Sequence, residues 1–135
     1  MLNNKFSFIA LLTLLVALTV ATGCSPQQQE VKASIADDGR EKQLKQGQTL
    51  VVTLEGNPTT GYSWEAAEPL DEQVLRQAGE AEFKAESDLI GAGGVEIIRF
   101  EAVNAGKFTL KLVYHRPWEK GVEPLETYSI QVVVR

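Results

Sequence analysis

Thiols are nearly missing from this chain. Cys24 is the only cysteine in 135 residues, so no internal disulfide can form. Histidine is equally scarce, with His115 alone. One histidine without a His/Cys cluster cannot build a zinc site of ordinary type, and the acidic residues lack EF-hand spacing. There is no Gly-x-Ser-x-Gly elbow, and nothing in the sequence pairs His115 with a nucleophile. The chain therefore reads as a non-enzyme with no metal and no cofactor. Basic residues number 13 against 18 acidic ones, which argues against a nucleic-acid partner, since that needs a basic face. Nothing argues for an oligomer, and the chain is read as a monomer.

The only long apolar run lies at the start. Lys5 precedes an almost wholly apolar stretch from Phe6 to Ala21, then small Thr22-Gly23, then Cys24. The position and the small-residue ending identify a targeting signal. The run Val20-Ala21-Thr22-Gly23-Cys24 resembles a bacterial lipobox, departing from it where Ala21 replaces a larger aliphatic. The expectation is a lipoprotein signal peptide over 1–23, with Cys24 lipidated and attached to a membrane. A polar tether then covers 24–30 and a single domain covers 31–135. Ser25 after Cys24 suggests an outer-membrane address in the cell envelope. Loss of residues 1–23 removes one basic residue, Lys5, and leaves a net charge of about −6. A lipidated chain would carry no free thiol. Its fold would stand on its core alone, although disulfides are permitted outside the cytoplasm.

After the tether, apolar residues alternate with polar ones. Leu50, Val52 and Leu54 share one face of a strand, and Ile98, Phe100 and Ala102 share another. Phe108, Leu110, Leu112 and Tyr114 form a third set, and Tyr128, Ile130, Val132 and Val134 a fourth. Asn104-Ala105-Gly106 reads as a hairpin turn between two of these runs. Shorter strands are expected over 31–35, 62–66 and 80–85. The segment 71–78 has an acidic start and is compatible with a helical turn or two. No sustained helix competes, so the fold class is all-β. The leading arrangement is an immunoglobulin-like antiparallel β-sandwich without a disulfide.

Three loops stand out. Asn57 can close an Asx-type turn, Pro58 fixes φ, and Gly61 eases the exit, leaving Thr59 and Thr60 at the tip before Tyr62. Trp64 reads as a core aromatic, while Tyr62 reads equally as core or loop. Gly91-Ala92-Gly93-Gly94 lacks the Lys-Ser/Thr and the helix of a phosphate loop. It is either a plain connector or a place where another backbone approaches closely. Arg116-Pro117-Trp118 combines two residue types enriched in binding hot spots. In a sandwich all three can gather at one end, as the loops of a paratope do. The residues alone leave open a protein-binding or scaffolding module of the envelope, and less readily an enzyme that uses His115.

In this order and on these strands, the three motifs look like the chagasin-type inhibitors of papain-like cysteine peptidases. The resemblance runs from about Gln48 to Val134. It implies an immunoglobulin-like sandwich that blocks such peptidases reversibly and without a covalent bond. The loop Asn57–Tyr62 would enter the active-site cleft, with Thr59 and Thr60 near the catalytic groups of the target. Gly91–Gly94 would line one side, and Arg116–Trp118 would sit on the primed side, Trp118 packing on target aromatics.

Overall fold

The computed structural model describes residues 29–135. The proposed signal peptide, Cys24 and most of the tether lie outside the described residues. The alternating runs become strands. In chain order these are β1 (Glu30–Ser34), β2 (Glu41–Leu44), β3 (Thr49–Gly56), β4 (Ser63–Ala66), β5 (Leu75–Gln77), β6 (Glu82–Ala85), β7 (Gly94–Ala102), β8 (Gly106–His115) and β9 (Glu126–Val134). They build two sheets, one ordered β1-β3-β7-β5 with β6 also on β7, the other ordered β2-β9-β8-β4.

The core lies between the sheets, where the four periodic runs put it. Leu50, Val52 and Leu54 of β3 face Leu110 and Leu112 of β8 and Tyr128, Ile130 and Val132 of β9 across the sandwich, all buried. Burying each aliphatic side chain of this size contributes about 1.5–3 kcal/mol. The fold is the all-β sandwich expected, held by this core without a covalent staple.

Three local features differ from expectation. First, β2 was not foreseen. Its sequence Glu41-Lys42-Gln43-Leu44 offers one buried apolar residue, Leu44, because it is an edge strand held mainly by pairing with β9. Second, 71–78 forms no helix. It makes a turn closed by Leu75 N–H donating to the Asp71 carbonyl at 2.8 Å, then enters β5, where Leu75 is fully buried. Third, the sandwich is not purely antiparallel. A single 3-10 turn, Ile35–Asp37, and Gly39 at φ 75° carry the chain from one sheet to the other. As a result β1 runs parallel to β3 and β2 parallel to β9.

Strand direction fixes which connections share an end. β3 finishes at Gly56, opposite Gly94, where β7 begins. Ser63, the start of β4, pairs with His115, the end of β8, and Tyr114 pairs with Glu126, the start of β9. The β3–β4, β6–β7 and β8–β9 connections therefore emerge together. The opposite end holds the β2–β3 and β7–β8 turns, the first residue of β1 and the C-terminal Arg135. There Glu30 is level with Thr49, and Gly106 with Val134.

Candidate functional site

The β3–β4 connection is a one-turn 3-10 helix over Pro58–Thr60 with Asn57 as its cap. Asn57 Oδ1 accepts from Thr59 N–H at 3.2 Å and from Thr59 Oγ1 at 2.6 Å. Thr60 Oγ1 donates to the Asn57 carbonyl at 2.6 Å. Both hydroxyl protons are thus committed inside the loop, which rigidifies it and leaves the tip with little donor capacity for a partner. Gly61 ends the turn at φ 82°, a left-handed conformation that side chains resist.

A ladder of rings ties this loop to the core. Arg116 stacks 4.6 Å above the Tyr62 ring, Tyr62 lies 5.3 Å from Tyr114, and Tyr114 lies 5.2 Å from Trp64. Trp64 is buried, as expected. Tyr62 belongs to both worlds, being half-buried and packed on the core. The ladder is also hydrogen-bonded: Asn57 N–H donates to Tyr114 Oη at 2.8 Å, and Trp64 Nε1–H donates to the Glu55 carbonyl at 2.8 Å.

The three loops are bonded to one another. Asn57 Nδ2 donates to the Gly91 carbonyl at 3.1 Å, joining the first loop to the second. Arg116 Nε donates to the Thr60 carbonyl at 3.0 Å, joining the third to the first, while Arg116 Nη1 pairs with Glu119 at 3.0 Å. The hydrogen bond to Glu119 holds the Arg116 pKa above its ordinary value against a smaller opposing effect of desolvation, and a guanidinium stays charged across the working pH range in any case. Trp118 is 65% exposed, and its ring edge rests against Gly61, where a Cβ would meet the Trp118 ring.

The four residues Gly91–Gly94 divide by role. Gly91 is exposed at φ 78°, and Ala92 N–H closes a turn onto the Leu89 carbonyl at 3.1 Å. Gly93 has room around it, its nearest neighbour being the Gly56 carbonyl at 3.8 Å. Gly94 is different. A Cβ there would lie 2.1 Å from the Lys84 carbonyl, so this glycine lets β6 pass and belongs to the fold as much as to the loop.

Sequence reading passed over several exposed apolar side chains on the same end. Leu89 and Ile90 stand at 77% and 107% exposure before Gly91, and Val122 and Leu125 are exposed on the β8–β9 connection. The available signal for the first pair was two adjacent aliphatics inside a polar stretch, outside any strand alternation. Below the loops, Glu96 of β7 is buried and accepts Trp64 N–H at 3.0 Å through Oε2. Its other oxygen packs over Gly56 with no hydrogen-bond partner. Burial pushes this carboxyl above the usual carboxylate range. The Trp64 bond opposes that shift and Glu65 adds to it.

His115, at the loop end of β8, pairs with Glu65 at 3.0 Å and lines a small cleft with Tyr62, Arg116 and Glu119. The arrangement is therefore a set of mutually bonded loops that presents exposed apolar side chains beside the Arg116–Glu119 pair. It has the form of a contact surface.

Comparison with known proteins gives a consistent picture. The family model described as "Chagasin family peptidase inhibitor I42" matches residues 43–132. Amoebiasin-2 of Entamoeba histolytica is 38% identical over 89 residues, spanning 64% of this chain and 70% of that protein. Chagasin of Trypanosoma cruzi is 28% identical over 102 residues, spanning 73% and 93%. Among solved structures, a cysteine protease inhibitor from Entamoeba histolytica superposes with a TM-score of 0.69 at 30% identity. It covers 82% of this chain and 99% of its own. The ICP protein of Leishmania mexicana superposes at 0.53 with 29% identity, covering 73% and 89%.

Proposed function

The chain belongs to the chagasin family of peptidase inhibitors, and from that premise we propose how it inhibits and where. It is an inhibitor of papain-like cysteine peptidases and not an enzyme. The loop Asn57–Tyr62 enters the active-site cleft as a wedge, with Thr59 and Thr60 at its tip. Gly91–Gly94 borders one side of the cleft, and Arg116, Pro117 and Trp118 border the other.

The observation that carries this reading is the bonding between the loops. Asn57 holds Gly91, Arg116 holds Thr60, and Trp118 leans on Gly61. A surface already assembled loses little entropy on binding. A wedge closed by its own hydrogen bonds also offers no strained scissile peptide to the target nucleophile, so no near-attack geometry arises. Inhibition is then reversible and stoichiometric, with Trp118 as the exposed aromatic anchor.

At the N-terminus, the lipobox-like run ending at Cys24 supports a lipid-anchored inhibitor of the cell envelope. One thiol at that position, and none in the sandwich, fits a cysteine kept for lipid.

Titration of papain with the purified domain, followed by residual activity on a small fluorogenic substrate, tests the inhibitory reading. One-to-one reversible loss of activity is expected. A folded domain that leaves papain and cathepsin L-type enzymes fully active would overturn it. Metabolic labelling with palmitate, compared between the natural chain and Cys24→Ser, tests the anchor, with label expected only in the former.

A further inference from the structure

We infer that the sandwich carries its three loops on the end that faces away from its point of attachment, so that an anchored molecule presents them to a peptidase in the surrounding solution. The biological setting rests on the lipid-anchor reading of Cys24, whereas the polarity itself comes from strand direction. β1 begins at Glu30 beside Thr49 and runs parallel to β3 toward Gly56. The chain thus enters the sandwich at the end opposite the loops. The eight residues of β3 separate the two ends by about 23 Å at the usual rise of a strand.

The two ends differ in chemistry as well. Of seven exposed large apolar side chains among the described residues, Leu89, Ile90, Trp118, Val122 and Leu125 stand on the loop end. The entry end carries none of them. Its turns are polar, with Lys45, Gln46, Asn104 and Gln73 bonded among the termini and neighbouring turns. A polar end suits a hydrated headgroup surface, and the apolar end suits a protein partner.

Reach decides which orientation works. From Cys24 to Glu30 the chain spans at most about 20 Å when extended. A peptidase of about 200 residues has a radius of gyration near 16 Å, too large to fit between loops and lipid on such a lead. Loops turned toward the bilayer would be occluded, whereas loops turned outward stand clear by the full height of the sandwich.

The sole thiol makes the test direct. Among the described residues every buried core side chain lies between Ala33 and Val134, so residues 24–135 contain the core of the sandwich. Their only cysteine, Cys24, can be coupled to vesicles bearing a maleimide phospholipid and brominated phosphatidylcholine. The fluorescence of Trp118, taken as the difference between the domain and its Trp118→Phe variant, reports quenching by the bilayer. Papain titration is run on the same vesicles. A control couples the domain through Glu123→Cys, on the exposed β8–β9 connection, in a Cys24→Ser background.

With attachment at Cys24, Trp118 is expected to stay unquenched and inhibition to stay within about threefold of the free domain. With attachment at position 123, quenching and a loss of about tenfold or more are expected. Equal quenching from the two attachment points would overturn the inference. So would a Cys24-coupled domain that loses inhibition the free domain possesses. If the free domain does not inhibit papain, the inhibitor reading is what fails, and the quenching still decides the orientation.

Discussion

Trp118 shows how much one side chain can contribute when it is both exposed and braced. Its ring presents a wide apolar area, while contact with Gly61 limits its rotamers before any partner arrives. Trp118→Ala should therefore raise the inhibition constant for papain by about 1–3 kcal/mol, the range of an interface anchor. The melting temperature should be unchanged, because the core does not use the ring. Parallel inhibition assays and thermal melts check both halves. The glycines of the second loop separate in the opposite sense. Gly94→Ala puts a methyl into the Lys84 carbonyl and should displace β6 and lower the melting temperature. Gly93→Ala meets ordinary contact distances and should leave stability within about 0.5 kcal/mol. Equal destabilisation by the two would mean that β6 does not constrain Gly94.

Among the elements, the loops behave as a bonded set in which Arg116 is the hub, holding Thr60, Glu119 and the face of Tyr62 at once. Arg116→Ala should weaken inhibition by about 1–2 kcal/mol through loss of pre-organisation, with little change in global stability. A melt and a papain titration on the same preparation distinguish this from unfolding. The three loop motifs were legible in the sequence because Pro58 and Pro117 restrict the backbone locally, because Gly61 and Gly91 admit the positive φ their turns need, and because period two locates the strands that carry them. What escaped was what depends on remote neighbours. β2 is a strand only because β9 offers it an edge. Asn57 reaches Gly91 across 34 positions of sequence. Glu96 sits on the buried face of β7, where alternation alone called for an apolar residue. Leu89 and Ile90 are conspicuous only once the fold shows that nothing covers them.

For the molecule as a whole, Glu96 links the sheets through Trp64 N–H at a cost that depends on pH. Its carboxyl is raised above the ordinary range, mainly by burial. The folded state therefore holds this proton more tightly than the unfolded chain does. The resulting stability is fully present at acid pH and is lost as pH climbs through the raised value. Glu96→Gln keeps an acceptor for Trp64 and removes the buried charge. The variant should melt a few degrees higher near neutral pH, an effect of about 1 kcal/mol, and the difference should vanish near pH 4. Melts across that range check it, and a gain independent of pH would point to packing instead. The ties between Asn57 and Gly91, Arg116 and Thr60, and Trp118 and Gly61 also bear on how such a protein can change over generations. A substitution in one loop alters the geometry of its neighbours, so its effect depends on what they already contain. Adaptation to a new target then proceeds by sets of mutually permissive changes, and a single loop transplanted from a relative would arrive without the partners that give it its shape.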